Sequence, residues 1–429
     1  MTSDASQRDR PHGPPASPSV ASDNPRVVLV VPGFPKGSET FIFNKAVGLV
    51  GRGWDVRIAC AASVAAEWAN YPAAEAELVR ARVEVGAPHR PLRAALAVGP
   101  RVVARSVLSA PRESARYIWR GWRRFGLGVV KRFYGDCHIV AARPDILHFE
   151  FGSLAAERMY LRDLIGCRVS VSFRGYDLAN SGLDQPGFYD EVWRQADAFH
   201  FLGHALVELA HQRGAPASLR PTLISPAIDT DRFAPPDREP VPAGTPERPL
   251  RLLTVGRLHW KKGYEYGLDA VRVLVERGVT VECRIVGDGD YWEAVHFWRH
   301  QNGLDAVVEV LGSVPHGVVG DHLAWADLLV HPAVTEAFGN AVIEAQAMAL
   351  AVVCTDAGGL PENVEAGVTG LVVPRRDPDA LADAIEALAK DADRRIAMGR
   401  AGRRRVLEHF RLDEQLDAIE AFYRTAVGA

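Results

Sequence analysis

The chain has 429 residues, of which 48% are hydrophobic and 24% are charged, and its formal net charge is −3. This length exceeds what one ordinary hydrophobic core needs, so two domains are expected. The small net charge argues against general nucleic-acid binding, and the composition is that of a soluble globular protein.

The cysteines and the apolar runs bear on the cellular setting. Five cysteines lie far apart, which predicts neither a disulfide framework nor a zinc cluster; they are Cys60, Cys137, Cys167, Cys283 and Cys354. No apolar run approaches the ~20 residues of a membrane span, and the N-terminus has no apolar signal core. We expect a cytoplasmic protein with reduced, mostly buried cysteines.

The chain opens with a tail and then a Rossmann-like pattern. Residues 1–24 are rich in Pro, Ser, Asp and Arg, which predicts disorder. A buried strand at 26–31, a helix at 39–50 and a strand at 54–60 follow. The loop after the first strand is no dinucleotide fingerprint, because the third glycine is absent. Gly33 there either lets the main chain approach a phosphate or simply forms a tight turn.

The segment 90–132 is strongly basic, with eleven Arg or Lys and one acid, Glu113. Two sets of residues recur at helical spacing: Arg112, Arg116, Arg120 and Arg123 on one face, and Ile118, Trp122, Phe125 and Val129 on another. Such a helix suits an anionic bilayer surface, where each cation contributes ~1 kcal/mol. The alternative is that the aromatic side chains pack on the first domain. Pro100 and Pro111 are expected to break the segment.

Polar clusters follow two later strands. Glu150 comes after the strand at 145–149, and Arg174 and Asp177 come after the strand at 169–173. Because ligands bind beyond the carboxyl ends of parallel strands, both clusters should face a cleft. Arg174 is suited either to a phosphate or to a structural salt bridge with Glu150.

A second strand and helix alternation starts at residue 250, after a Pro-rich linker at 236–249. Within it, Glu336 and Glu344 flank a predicted helix start at Phe338, Gly339 and Asn340. Unpaired N–H groups and the positive end of the helix dipole make such a start a phosphate site. The two carboxylates would accept hydrogen bonds from hydroxyl groups on either side of a bound diphosphate.

These residues carry a family resemblance. The segment 336–339 together with Glu344 resembles the Glu, seven residues, Glu signature of the retaining glycosyltransferases of family 4 (group 1). Three further blocks agree with that family in order and spacing: 255–258 with 261–263, 286–289, and 358–362. Residues 34–35 and 38–42 resemble the opening of its exopolysaccharide branch, which includes transferases of colanic-acid type.

The resemblance implies an α/β fold of GT-B type, with two Rossmann-like domains facing an interdomain cleft. The domains would span 25–235 and 250–410, and a helix at 411–429 would cross back to the first. The implied activity moves a sugar from a nucleotide-diphosphate sugar to a hydroxyl of a lipid-linked or cell-surface saccharide. Neither a metal nor another cofactor is expected.

The resemblance also assigns roles to residues. Arg257 and Lys262 would stabilise the departing phosphate, Glu336 would bind sugar hydroxyls and Glu344 the ribose. The other residues expected on the donor side are Gly33, Gly287, Val314, Phe338, Gly339 and Asn340. The residues expected on the acceptor side are Glu150, Arg174 and Asp177. The enzyme is expected in the cytoplasm, at the inner membrane face if the basic segment docks there.

Many family members have histidines where this chain has Glu150 and Arg174, which puts a histidine role in doubt. This departure motivates one alternative, a non-catalytic scaffold. Two others also stay open: a nucleotide-sugar 2-epimerase-like isomerase and a transferase acting on a soluble natural product. Formation of product from donor alone would reveal an isomerase. An intact donor half argues against the scaffold.

Overall fold

A computed structural model describes residues 24–36, 39–87, 92–236 and 241–428. The predicted disordered tail lies outside these ranges except for Asn24, and residues 237–240 of the predicted linker also lie outside them.

The first half of the chain forms a parallel sheet of seven strands: β1 Val27–Gly33, β2 Val56–Ala62, β3 Val83–Val85, β4 Ile146–Phe149, β5 Arg168–Phe173, β6 Ala198–Phe201 and β7 Pro221–Leu223. Their order is β3-β2-β1-β4-β5-β6-β7. Six of the seven residues of β1 are buried, as expected for a central parallel strand covered on both faces. The parallel pairing places the carboxyl ends of β1, β4, β5 and β6 at one edge.

Nine helices accompany this sheet in the described ranges: α1 Thr40–Gly51, α2 Ala73–Arg80, α3 Leu92–Ser109, α4 Pro111–Phe125, α5 Gly128–Ala142, α6 Gly152–Ala156, α7 Gly175–Asn180, α8 Asp190–Gln195 and α9 His204–Gln212. Short 3-10 and π-helical turns lie at Ala65–Asn70 and Arg162–Gly166.

The basic segment forms helices, but the predicted break at Pro100 is wrong. Helix α3 continues through Pro100, where Gly99 lies against the ring of Tyr134 on α5. Tertiary packing therefore outweighs the lost hydrogen bond. Pro111 lies in the first turn of α4, where its missing N–H has no helical partner in any case.

The second half forms a parallel sheet of six strands: β8 Leu250–Val255, β9 Val281–Val286, β10 Val308–Gly312, β11 Leu328–His331, β12 Ala351–Thr355 and β13 Gly370–Val373, in the order β10-β9-β8-β11-β12-β13. Its helices are α10 Tyr264–Glu276, α11 Trp292–Gln301, α12 His316–Trp325, α13 Asn340–Ala347, α14 Leu360–Asn363, α15 Pro378–Lys390 and α16 Ala392–His409, and a 3-10 turn lies at Trp260–Lys262.

The last helix, α17 Leu412–Val427, lies on the first sheet. Its residues Leu416, Phe422 and Tyr423 are buried in the same apolar cluster as Val27 and Phe43. The chain reaches α17 through a bridge in which Ile228 N–H donates to the carbonyl of Phe410 at 2.9 Å. The end of the chain thus becomes part of the first domain.

All five cysteines are buried and free, as predicted. In the described part of the chain, no helix combines the length and the apolar character that a membrane span requires.

Candidate active site

A cavity of about 520 Å³ lies between the carboxyl edges of the two sheets. The first domain and α17 contribute Phe41, Lys45, His148, Arg174, His200, Leu202, Phe422 and Tyr423 to its lining, among others. The second domain contributes Arg257, Lys262, Val319, Glu336, Phe338, Gly339, Asn340 and Glu344, among others. This position, beyond the carboxyl ends of the strands, is the one at which open α/β sheets generally bind ligands.

The turn after β8 brings two cations to this cavity. Arg257 is exposed directly after Gly256, and Lys262 ends the short 3-10 turn. Gly263 follows with φ +62°, where a β-carbon would overlap the carbonyl of Pro332. Glycine at this position therefore lets the lysine loop lie directly against the loop after β11.

Glu336 is held by three neighbours. Its Oε2 contacts the Lys262 ammonium and lies 3.1 Å from Nε2 of His331, while Oε1 accepts a hydrogen bond from Ala337 N–H at 3.1 Å. Although burial opposes ionisation, Lys262 and His331 hold the pKa of Glu336 well below its usual range. The carboxylate is therefore a charged acceptor, which suits it to bind hydroxyl groups.

The amino end of α13 borders the same cavity. Gly339 precedes the helix with φ +95°, so the chain turns sharply from the buried Phe338 into the helix. The first N–H groups of a helix have no helical partners and attract anions. Glu344 lies on the same helix and also lines the cavity.

A glycine-rich loop joins this region to the first domain. Gly359 N–H donates to the carbonyl of Glu336 at 3.0 Å. Glu362 in α14 accepts hydrogen bonds from the main-chain N–H groups of His204 and Ala205, at 2.8 and 2.7 Å, at the start of α9. The carboxylate of Glu362 thus bridges the two domains.

On the first-domain side, Glu150 lies in a buried ion cluster. Its carboxylate contacts the Lys45 ammonium and accepts a hydrogen bond from Nη2 of Arg174 at 2.8 Å. Nε of Arg174 donates to the Glu150 carbonyl at 3.1 Å, and the guanidinium lies over Phe41. These charges keep the pKa of Glu150 well below its usual range despite burial. The structure therefore shows the Arg174 to Glu150 salt bridge, which was the structural alternative for these residues.

Asp177 also makes structural contacts. One carboxylate oxygen accepts from the N–H and the hydroxyl of Ser153, at 3.0 and 2.9 Å, and the other accepts from Arg174 N–H at 3.0 Å. Burial raises the pKa of Asp177, and these hydrogen bonds counteract the effect. The carboxylate fixes the loops that start α6 and α7.

Two histidines near Glu150 are linked by a buried hydrogen-bond chain. His200 Nε2 lies 2.9 Å from the carbonyl of Ile224, so this nitrogen carries the proton, and Nδ1 accepts from the Ser172 hydroxyl at 2.7 Å. Ser172 in turn accepts from His148 Nε2 at 3.0 Å, and Ser170 donates to His148 Nδ1 at 2.9 Å. Burial lowers the pKa of both imidazoles, of His200 to about 3. Both rings are therefore neutral and fully paired.

The predicted site residues divide into two groups. Those that line the cavity are Arg257, Lys262, Glu336, Phe338, Gly339, Asn340, Glu344 and Arg174. Those that are not among its described lining residues are Gly33, Gly287, Val314, Glu150 and Asp177. Gly287 has φ +148° and lies against the Gly256 carbonyl, so it shapes the turn that carries Arg257. The functional roles given to all these residues stay predictions.

Sequence reasoning missed Lys45, His331 and Tyr423, all of which contribute to the site. Lys45 stands on the apolar face of α1 between Ile42 and Leu49, and a lysine among buried positions is a usable signal. His331 likewise ends a fully buried strand. Tyr423 could not be found in this way, because only the return of α17 brings it to the cavity.

Within the described residues, no group of three or more His, Cys, Asp and Glu side chains is arranged to hold a metal ion.

Comparisons with known proteins agree with this architecture. Residues 249–391 match the family described as "Glycosyl transferases group 1". WcaL of Escherichia coli (strain K12), a proposed colanic acid biosynthesis glycosyltransferase, is 29% identical over 62% of this chain and 67% of its own length. The amylovoran biosynthesis glycosyltransferase AmsK of Erwinia amylovora is 29% identical over 56% of this chain and 60% of its own.

A third relative is the GDP-mannose-dependent alpha-(1-6)-phosphatidylinositol monomannoside mannosyltransferase of Mycobacterium tuberculosis (strain CDC 1551 / Oshkosh). It is 33% identical over 49% of this chain and 57% of its own. The matched region thus spans between about half and two thirds of these relatives.

Solved structures match almost the whole fold. HepE of Anabaena, in complex with UDP-glucose, superposes with a TM-score of 0.69 over 92% of this chain and 98% of its own, at 18% identity. Sucrose-phosphate synthase of Thermosynechococcus elongatus gives 0.67 over 94% and 98%, also at 18% identity. The predicted fold of two Rossmann-like domains around a cleft is confirmed, and within it residues 249–391 match the glycosyltransferase group 1 family.

Proposed function

We propose that the protein is a metal-independent, retaining glycosyltransferase that transfers a sugar from a nucleotide-diphosphate sugar to an acceptor hydroxyl. The observation that carries this proposal is the convergence of Arg257, Lys262 and the amino end of α13 on one cavity, beside the ionised Glu336. Cations and helix N–H groups placed together are suited to a diphosphate.

The chemistry follows from where charge develops. The bond between the anomeric carbon and the donor phosphate breaks, and a bond from the acceptor oxygen to the same face of that carbon forms. The acceptor proton passes to the departing phosphate. Arg257, Lys262 and the N–H groups at Gly339 and Asn340 stabilise the negative charge on that phosphate. Glu336 accepts hydrogen bonds from the sugar hydroxyls, and Glu344 accepts them from the ribose.

The acceptor we propose is a lipid-linked or cell-surface saccharide. Support comes from the relatives in colanic acid and amylovoran biosynthesis and from the mannosyltransferase that acts on a phosphatidylinositol mannoside. Leu202 and Phe422 line the cavity on the first-domain side, where we place this acceptor.

The first test is thermal denaturation in the presence of UDP, GDP, ADP, dTDP and CDP. A ligand at a hundred times its Kd stabilises the folded protein by ~2.7 kcal/mol, which should raise Tm by several degrees. One nucleotide should stand out, and Lys262→Ala should remove its shift. Lys390→Ala is the control, because Lys390 pairs with Glu386 on an exposed helix face. If no nucleotide raises Tm, the donor site proposed here is wrong.

The reaction itself is tested with that donor and a membrane extract as the source of acceptor. Transfer should continue in EDTA, and the anomeric configuration of the donor should be kept in the product. Loss of transfer in EDTA would contradict metal independence. Conversion of the donor sugar without acceptor would instead indicate the epimerase-like alternative.

A further inference from the structure

The structure separates two faces of the basic helix α4. The buried face carries Tyr117 and Gly121, which pack against Phe133 and Val129 of α5. The hydroxyl of Tyr117 donates to the buried carboxylate of Asp136 at 2.7 Å. The packing alternative left open by the sequence holds for three residues of the predicted apolar face, because Val129 is fully buried and Ile118 and Phe125 pack against the core, whereas Trp122 stays exposed.

The outer face combines cations with large apolar side chains. Trp119 and Trp122 are 57% and 54% exposed, and Leu127 and Val130, just beyond the helix, are 76% and 63% exposed. The cations beside them are also exposed: Arg112, Arg116, Arg123 and Lys131. We call these eight residues the α4 surface.

The charge of the α4 surface is not balanced by acids within it. Glu113, in the first turn of α4, pairs with Arg143 at 3.7 Å, and Asp163 pairs with Arg124 at 2.9 Å. The Arg123 guanidinium lies 4.1 Å from the ring centre of Trp119, so cation and ring present one combined surface. The buried packing of α4 depends on none of these exposed groups.

We propose that the α4 surface docks the protein on an anionic lipid bilayer. Trp side chains are favoured at the level of lipid headgroups, where the ring is desolvated and the N–H stays hydrated. Exposed arginine and lysine are attracted to acidic phospholipids, and each cation strengthens partitioning about fivefold. The positive charge of the α4 surface favours acidic lipid over neutral lipid. The helix already exposes the two tryptophan rings before the protein meets a bilayer.

This inference rests on the proposed function, because a bilayer-docked enzyme meets a lipid-linked acceptor at the surface where that acceptor lies. The α4 surface belongs to the acceptor-side domain: α5 leads directly into β4, which is followed by Glu150. Donor binding does not depend on this surface, so the two proposals can fail separately.

The experiment is flotation of the full chain with vesicles of phosphatidylcholine containing 30% phosphatidylglycerol, compared with pure phosphatidylcholine. The wild type should bind the acidic vesicles at least tenfold more strongly, and high salt should weaken that binding. Replacing both tryptophans, Trp119→Ser with Trp122→Ser, or both cations, Arg116→Gln with Arg123→Gln, should reduce binding at least tenfold.

The matched control is Phe297→Ser with Trp298→Ser on α11, which removes two exposed aromatic side chains from the second domain. It should bind as the wild type does. Absence of wild-type binding at low salt, or equal loss in the control, would overturn the proposal. So would a wild-type dimer that the tryptophan variant dissociates while flotation is unchanged. A nucleotide-induced Tm shift that persists in every variant would show that the donor site is intact.

Discussion

Each domain has a cluster of one lysine, one glutamate and one histidine near the carboxyl end of a central strand. In the first domain Lys45 contacts Glu150, with His148 Nε2 3.7 Å from the carboxylate, at the end of β4. In the second domain Lys262 contacts Glu336, with His331 at 3.1 Å, after β11. β4 and β11 each lie directly beside the first strand of their sheet.

The two clusters differ in their exposure to solvent and in the number of cations that contact the glutamate. The Lys45 and Glu150 side chains are 6% and 0% exposed, whereas those of Lys262 and Glu336 are 23% and 14% exposed. Arg174 adds a second cation to Glu150. The Lys45 and Glu150 pair is thus closed off and has a second cation, whereas the Lys262 and Glu336 pair is partly open.

The largest expected effect comes from Glu150→Gln. The substitution leaves Lys45 and Arg174 buried without their counter-charge, and breaking a buried ion pair in this way costs about 3–5 kcal/mol. Tm should fall by on the order of 10 °C in calorimetry. Adding Lys45→Met should recover part of the loss. A Tm within 2 °C of wild type would show that the first-domain cluster is not structural.

Lys262→Ala should show the opposite pattern to Glu150→Gln, with a large loss of activity and little loss of stability. On the role proposed for Lys262, its removal should lower kcat by about 10²–10³-fold, while Tm should stay nearly unchanged because the pair is partly open. Initial rates of donor turnover measure the effect, with Lys390→Ala as the control. Near wild-type kcat would contradict the role given to Lys262, and a fall in Tm as large as that of Glu150→Gln would remove the contrast.

A smaller effect concerns pH and the imidazoles. The unfolded chain protonates His200 below its ordinary pKa of about 6.5, whereas burial and the charge of Arg174 keep the folded-state pKa at about 3. The unfolded state therefore binds more protons between these values, and stability falls as pH drops, by up to about 1.4 kcal/mol per pH unit.

His200→Gln should consequently flatten the decline of Tm between pH 6.5 and 5. Measurement against His300→Gln, whose ring is on the surface, separates burial from the mere loss of an imidazole. An unchanged slope would mean that His200 is protonated in the folded protein.

Much of the fold could be predicted from the sequence, because strong periodicity marks buried elements. The strands predicted at 145–149 and 169–173 agree with β4 and β5 to within one residue at each end. The edge strands β3 and β7 were missed, since each has three residues and no fully buried one to give a pattern.

The grouping of the site residues could be predicted only where they are neighbours in the sequence. The loop before α13 holds Glu336, Phe338 and Gly339 within four positions, so their grouping is visible in the sequence. The ion cluster in the first domain is not, because Lys45 and Glu150 meet only through the pairing of distant elements. His331 gives a local signal, because it ends a fully buried strand, but its contact with Glu336 becomes visible only in the structure.

The bridge from Glu362 to the start of α9 has a mechanical consequence. Separating the domains must break its hydrogen bonds to His204 and Ala205, and water must then hydrate both partners. Because Gly359 is hydrogen-bonded to the main chain of Glu336, the same movement pulls on the carboxylate-bearing loop. A change in the width of the cleft is therefore coupled to a change in the shape of its second-domain wall. Two molecules that both bind preferentially to the closed cleft would therefore raise each other's affinity by the same factor.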